Sequence, residues 1–207
     1  MENTFIVSAM RQTSPGRVTV TLCGGEEIKT TLNVVTDLRL YAGRELDGEE
    51  LKELRAASRS ALARNRAMEL LSRRPMSEKE LIDKLIRKGE DEETAADCAR
   101  WLRENGFLND ESYAAAVARH YAAKGYGPGR VQAELSRRGV DRELWDDTLE
   151  AMPENTDKLD RFISSRLTDP EDRDQVRKVT AALYRRGHSW EDIRAALRRF
   201  DAEPEEE

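Results

Sequence analysis

The stretch NGFLNDESYAAAVARHYAAKGYGPGRVQAELSRRGV, Asn105 to Val140, decides the fold. It reads as two short helices, each with its own start and stop. Asp110 is a natural N-cap, with a carboxylate to accept a free amide of the first turn, and Gly125 is a natural stop. The second helix opens at Gly127-Pro128, where a missing N–H does no harm, and closes at Gly139.

The same grammar recurs on both sides. Fifty residues earlier, Val131, Leu135, Arg137 and Gly139 fall on Leu81, Leu85, Arg87 and Gly89. Sixty-two residues later, Val131, Leu135 and Arg137 fall on Ile193, Leu197 and Arg199. The turns before these helices align too: Arg74-Pro75, Lys124-Gly125 and Arg186-Gly187. Any two amphipathic helices share apolar spacing. Here caps, stops and basic positions agree together, which marks a repeat.

Outward from this stretch, the chain divides into further short elements. Arg17–Leu22 and Ile28–Val35 alternate and are rich in Val and Thr around Gly24-Gly25, which predicts a β-hairpin with a possible third strand over Phe5–Met10. Thr36–Gly43 reads as a helical turn. Asp47 and Glu50 form a capping box that opens a long helix to about Arg73, with Leu51, Leu54, Ala61, Leu62, Met68 and Leu71 as its inner face. Ser77 caps a helix with the stripe Leu81, Ile82, Leu85 and Ile86, and Asp91 caps one with Ala95, Cys98, Ala99, Trp101 and Leu102 inward. Leu144, Trp145 and Leu149 complete the second unit, and Pro153–Thr156 reads as a hinge. In the third unit, Asp169-Pro170 is expected to cap the helix through Leu183, and Ser189 with Asp192 to cap the last one. The expected divisions are 1–46 (hairpin region), 47–106, 107–153 and 154–200 (three-helix repeats) and 201–207 (a disordered acidic tail).

Composition narrows the function. With 38% hydrophobic and 37% charged residues among 207, the chain suits small helical units that each bury one narrow face. No apolar run approaches membrane-spanning length, the first residues do not open a signal peptide, and Cys23 and Cys98 lack metal-ligand spacing, which fits a reduced cytoplasm. The net charge is −6, and the last seven residues hold five acids and no base, so the body is near neutral and rich in Arg. An acidic chain is poorly suited to tight non-specific DNA binding, although a local basic stripe remains compatible with it.

Nothing points to an enzyme, a cofactor or a metal. His120 and His188 form no motif, and GYGPG, Gly125–Gly129, lacks the Lys-Ser/Thr pair of a phosphate loop. The candidates are instead repeated cations: Arg74, Lys124 and Arg186 at one equivalent place, and Arg87, Arg137 and Arg199 at another. Both places lie in last turns, where cations complement helix carbonyls, so a purely structural role is the competing explanation. That explanation does not cover Arg130, which stands in a first turn. Tyr126, beside a turn, is either a lid on the helix pair or a contact residue, whereas Tyr113 and Tyr121 fit the core stripe.

RPMSEKELIDKLIRKG (Arg74–Gly89), followed by the stretch through Val140, resembles the RecX family of bacterial recombinase regulators. LYRRGHSWEDIRAAL (Leu183–Leu197) resembles that family's more divergent third repeat, and the likeness covers about residues 60–200. The resemblance implies a mainly α fold of tandem three-helix repeats in an elongated curved array, here with a small N-terminal β-hairpin region. It also implies a cytoplasmic monomer that binds the RecA recombinase and its filament on single-stranded DNA, inhibiting strand exchange and coupled ATP hydrolysis. The competing class is a helix-turn-helix-like module acting directly on DNA, its recognition helix starting at Pro128 or Trp190.

Overall fold

The structure is a computed structural model that describes residues 4–204. The described residues form four strands and ten α-helices. By contacts, one compact unit runs up to Pro75 and includes Leu81–Leu108, and the other holds Met76–Glu80 and the chain from Asn109 onward.

The first unit begins with an antiparallel sheet in the order β3-β2-β1-β4, made of β1 (Phe5–Ser14), β2 (Arg17–Leu22), β3 (Glu27–Thr31) and β4 (Glu45–Leu46). The expected hairpin is thus β2–β3, embedded in a larger sheet rather than standing alone. β3 stops at Thr31, short of Val35, because the Thr31 hydroxyl accepts the Val34 amide at 3.4 Å and caps α1 (Leu32–Asp37). The helical turn expected over Thr36–Gly43 therefore lies earlier in the chain. Val7, Val20, Leu22 and Ile28 of the sheet pack with Leu46 and with Leu51 and Leu54 of α2 (Gly48–Arg73). A bidentate Arg55–Glu26 pair and a buried Ser58–Thr30 hydrogen bond of 2.8 Å fasten the helix to the sheet. A hairpin gains stability by this route, since two strands alone are marginal in water.

α2 carries the expected capping box of Asp47 and Glu50. It also packs on α4 (Glu92–Glu104), where the Arg64 guanidinium lies 4.4 Å from the Trp101 ring centroid, and its second half buries Ala63 and Ala67 fully. Met68, expected inward, is exposed, as is Ile86 of α3 (Glu78–Arg87).

The second unit contains α5 (Asp110–Ala123), α6 (Pro128–Arg137), α7 (Trp145–Glu150), α8 (Thr156–Ser164), α9 (Arg173–Arg185) and α10 (Trp190–Arg198). Asn109 rather than Asp110 caps α5, and Asp172 rather than Asp169 caps α9. Asp110 accepts the Glu78 amide instead, at 2.8 Å. The α5–α6 pair and the α9–α10 pair each enclose their own core. Their covering helices differ in chain order: α7 follows its pair, with Leu144, Trp145 and Leu149 packed on it, whereas α8 precedes its pair, contributing Leu159 and Ile163.

One backbone feature carries the repeat where side chains do not. After α3 and α6, Gly89 (φ 95°) and Gly139 (φ 68°) are left-handed, and Asp201 (φ 55°) takes the same place after α10. The following amide bonds back across each turn: Glu90 to Leu85, Val140 to Leu135 and Ala202 to Leu197. This is the Schellman closure of a helix end. It keeps Ala202 buried in the third core; residues 205–207 of the acidic tail lie outside the described residues.

The second and third helical trios meet backbone to backbone. Gly127 N–H donates to the Arg186 carbonyl and Gly129 N–H to the Gly187 carbonyl, both at 2.9 Å. A Cβ on Gly187 would lie 2.1 Å from the Arg130 nitrogen, and one on Gly127 would lie 2.4 Å from the Gly187 oxygen. Asn155 Nδ2 donates to the Tyr126 carbonyl at 2.8 Å. Pro153–Thr156, expected as a hinge, therefore connects trios that share one compact unit.

Two stability measurements test these features. Asp201→Gly should raise stability by about 0.5–1 kcal/mol in urea unfolding, by relieving a left-handed non-glycine residue. Gly187→Ala combines a left-handed backbone with a collision at the joint and should cost about 3 kcal/mol.

Candidate functional site

The candidate cations fall into distinct settings. Arg74 and Arg87 belong to the first unit, where Arg74 donates to the Pro75 carbonyl at 3.2 Å and Arg87 Nε to the Asp83 carbonyl at 3.1 Å. Arg199 is held by Asp160 at 2.5 Å, tying α10 to α8. Arg186 has its guanidinium 4.1 Å from the Phe162 ring centroid and 5.1 Å from that of Tyr126. The same group donates to the carbonyls of Lys124 and Gly125 at 3.3 and 3.4 Å. His188, nearly buried, places Nε2 3.1 Å from the Gly125 carbonyl. A carbonyl only accepts, so Nε2 carries the proton. Arg186 and His188 thus clamp the joint.

Of the remaining candidates, Lys124 meets the joint only through its backbone carbonyl, whereas Arg130, Arg137 and Tyr126 converge. Arg130, Arg137 and the neighbouring Arg138 surround Glu134, which is only 4% exposed. Arg130 donates to Glu134 Oε1 at 3.0 Å and Arg137 to Oε2 at 2.5 Å. Arg138 Nε stands 3.5 Å from Oε2, an ionic contact, and Arg138 Nη1 donates to the Tyr113 hydroxyl at 2.6 Å. The Arg130 guanidinium also lies 5.9 Å from the ring centroids of Tyr121 and of Tyr126, which meet edge to face. Tyr113 is buried as expected, while Tyr121 packs partly buried against the same core.

One carboxylate therefore organises three guanidinium groups and leaves a net positive surface. Burial by itself would raise the Glu134 pKa. The hydrogen bond and charge of Arg137, helped by Tyr121 and Arg130, outweigh it and hold the carboxyl below its ordinary value. Glu134 was absent from the sequence candidates. Its signal was local: it stands four residues after Arg130 and three before Arg137, so all share one helix face.

Burial pushes the Cys98 thiol up to about 11 against the pull of Arg64, which leaves it a poor nucleophile. Among the described residues no group of His, Cys, Asp and Glu could hold a metal ion, and no helix is long and apolar enough to cross a membrane. Glu134→Gln should cost about 2 kcal/mol at neutral pH by weakening its charged hydrogen bonds. The depressed carboxyl contributes above its ordinary pKa and loses that contribution as pH falls through its folded value. The gap between variant and wild type in urea unfolding should therefore close as pH drops below about 4.5.

Comparison with known proteins assigns this architecture. Family models described as RecX, first three-helix domain, and RecX, second three-helix domain, match residues 63–102 and 109–149. Regulatory protein RecX of Xanthomonas axonopodis pv. citri (strain 306) is 39% identical over 141 residues, which is 67% of this chain and 86% of the relative. Regulatory protein RecX of Caldanaerobacter subterraneus subsp. tengcongensis is 29% identical over 160 residues, covering 77% of this chain and 81% of the relative. A crystal structure of regulatory protein RecX shares the fold with a TM-score of 0.75 at 23% identity, over 94% of this chain and 99% of that one. The crystal structure of RecX from Lactobacillus salivarius gives 0.65 at 22% identity, over 70% and 98%. With sequence likeness across most of a relative's length and both domain models matched in order, the chain belongs to the RecX family of regulatory proteins.

Proposed function

We propose that the protein binds the RecA recombinase and its filament on single-stranded DNA, and restrains strand exchange and the coupled ATP hydrolysis. It acts as a cytoplasmic monomer without catalysis of its own. Residues 47–106, 107–153 and 154–200 are taken as its three repeats. Family membership supports the regulatory role. The observation that carries a contact surface is the guanidinium cluster around Glu134, whose outer members are open to solvent: the Arg130 side chain is 45% exposed and that of Arg137 66%. Cations preset by a buried acid lose little freedom when they meet an acidic or phosphate-bearing surface. Linked weak contacts from neighbouring repeats then multiply through effective concentration.

The direct DNA-binding alternative fares worse at both candidate recognition helices. The first turn of α6 is covered at Gly127 and Gly129 by the Arg186 and Gly187 carbonyls. The first turn of α10 carries Glu191 and Asp192, whose charge opposes a phosphate backbone.

Reversing the charges of Arg130 and Arg137 would crowd three carboxylates together and disturb folding, so neutral substitution is the cleaner test. Arg130→Gln with Arg137→Gln, which leaves Arg138 beside Glu134, should cost stability on the same scale as Glu134→Gln, so both variants are compared well below their melting temperatures, with Glu134→Gln as the stability control. The double variant should weaken suppression of the DNA-dependent ATPase of RecA about tenfold, or roughly 1.4 kcal/mol. Undiminished suppression would remove the cluster from the contact surface. Equal binding to naked DNA with and without recombinase, falling steeply with salt, would favour the alternative.

A further inference from the structure

The third trio has a second surface feature apart from the Glu134 cluster. Along the outer face of α9 runs a groove of about 1100 Å³. Val176 and Ala181 give it aliphatic surface, Tyr184 and Trp190 supply rings, and Arg173, Arg177 and Arg185 bring positive charge, with Glu203 as the one acidic residue among the described residues of its lining. Tyr184 is 69% exposed, the most exposed of the large hydrophobic side chains among the described residues. Arg177 pairs with the well-exposed Asp174 at 2.9 Å, an ion pair that water screens heavily.

The repeat itself gives a reason for an open surface here. Ser77, Gly127 and Ser189 occupy one equivalent place, immediately before the second helix of each pair. At the first two, a carbonyl from the end of a later helix is received: Ser77 donates to the Arg138 carbonyl and Gly127 to the Arg186 carbonyl. At Ser189 the only hydrogen-bond partner described is Asp192 of its own capping box, and the next residue, Trp190, lines the groove. Among the described residues, the place that takes a neighbour in two repeats receives none in the third.

We propose that this groove is a docking site for an acidic segment of a partner protein, with an apolar side chain anchored between Tyr184 and Trp190. Tyr, Trp and Arg are the residues that most often dominate protein–protein binding, and here they line one concave surface. Charge complementarity sets the sign of the partner. Arg173 and Arg185 are twelve positions apart on one helix, about 18 Å along its axis, which an extended segment of about five or six residues spans. The aliphatic surface favours a protein segment over a nucleic acid, because successive bases need successive flat rings to stack on. The inference does not depend on the identity of the recombinase.

The test uses the full chain and a fluorescein-labelled peptide of glutamates carrying two leucines, with a control peptide bearing glutamine for every glutamate. Fluorescence anisotropy should give at least tenfold tighter binding of the acidic peptide than of the control. Tyr184→Ala with Arg185→Glu, both at exposed positions, should leave the thermal melt unchanged and weaken acidic-peptide binding at least tenfold. Equal binding of the two peptides, wild-type affinity in the variant, or displacement of the peptide by a single-stranded oligonucleotide would each overturn the proposal. No recombinase enters the measurement, so its failure leaves the regulatory role standing.

Discussion

Two backbone hydrogen bonds between Gly127–Gly129 and Arg186–Gly187 hold the second and third helical trios together, and much of the second unit follows from them. At Gly127 and Gly187 the two main chains pass so close that a Cβ on either would collide with the other. At Gly187 any Cβ would collide with the Arg130 nitrogen, so the glycine is required twice, by its left-handed backbone and by its neighbour. Around this contact the polar groups have few options. Arg186 spreads over Phe162 and Tyr126, His188 reaches the Gly125 carbonyl, and Asn155 satisfies Tyr126. Each satisfies or covers a group that joining the trios takes from water. The joint also sets where Arg130 begins, since its amide lies against Gly187.

Charge is organised on the same helix. A chain with a net charge of −6 presents a basic patch because its acids are spent elsewhere, many of them at helix starts: Glu49 and Glu50, Glu92 and Glu93, Asp110 and Glu111, Glu191 and Asp192. There they complement the helix dipole. The first turn of α6 has no acid, and Glu134 sits buried at its middle with arginines around it. A single buried carboxylate fixing three guanidinium groups yields a surface of defined geometry rather than three independently mobile chains.

Much of this was legible in the sequence where local rules act alone. The capping boxes at Asp47 and Ser189, the stop at Gly89 and the proline start at Pro128 each need only a few consecutive residues. The misses share a non-local cause. Val34 and Val35 look like strand residues, yet a Thr31 cap turns the chain into a helix there. β4 is two residues long and exists only because β1 lies beside it. Met68 is exposed while Ala63 and Ala67 are fully buried, so the inward face of this half of α2 is set by tertiary packing rather than by the largest apolar residues. Asp201 continues the glycine position of the repeat under another residue type, so alignment by identity missed it. Glu134 was passed over because a charged side chain on an apolar-facing stripe reads as surface until its three partners are seen together.

The rigid joint is tested most directly by hydrogen exchange at the Gly127 and Gly129 amides, whose acceptors belong to the third trio. Protection close to that of core amides such as Leu135 and Leu183 is the predicted result, since opening them requires separating the trios. Exchange at the rate of a free loop, with Leu135 and Leu183 still protected, would contradict it and leave the two trios as independently moving bodies.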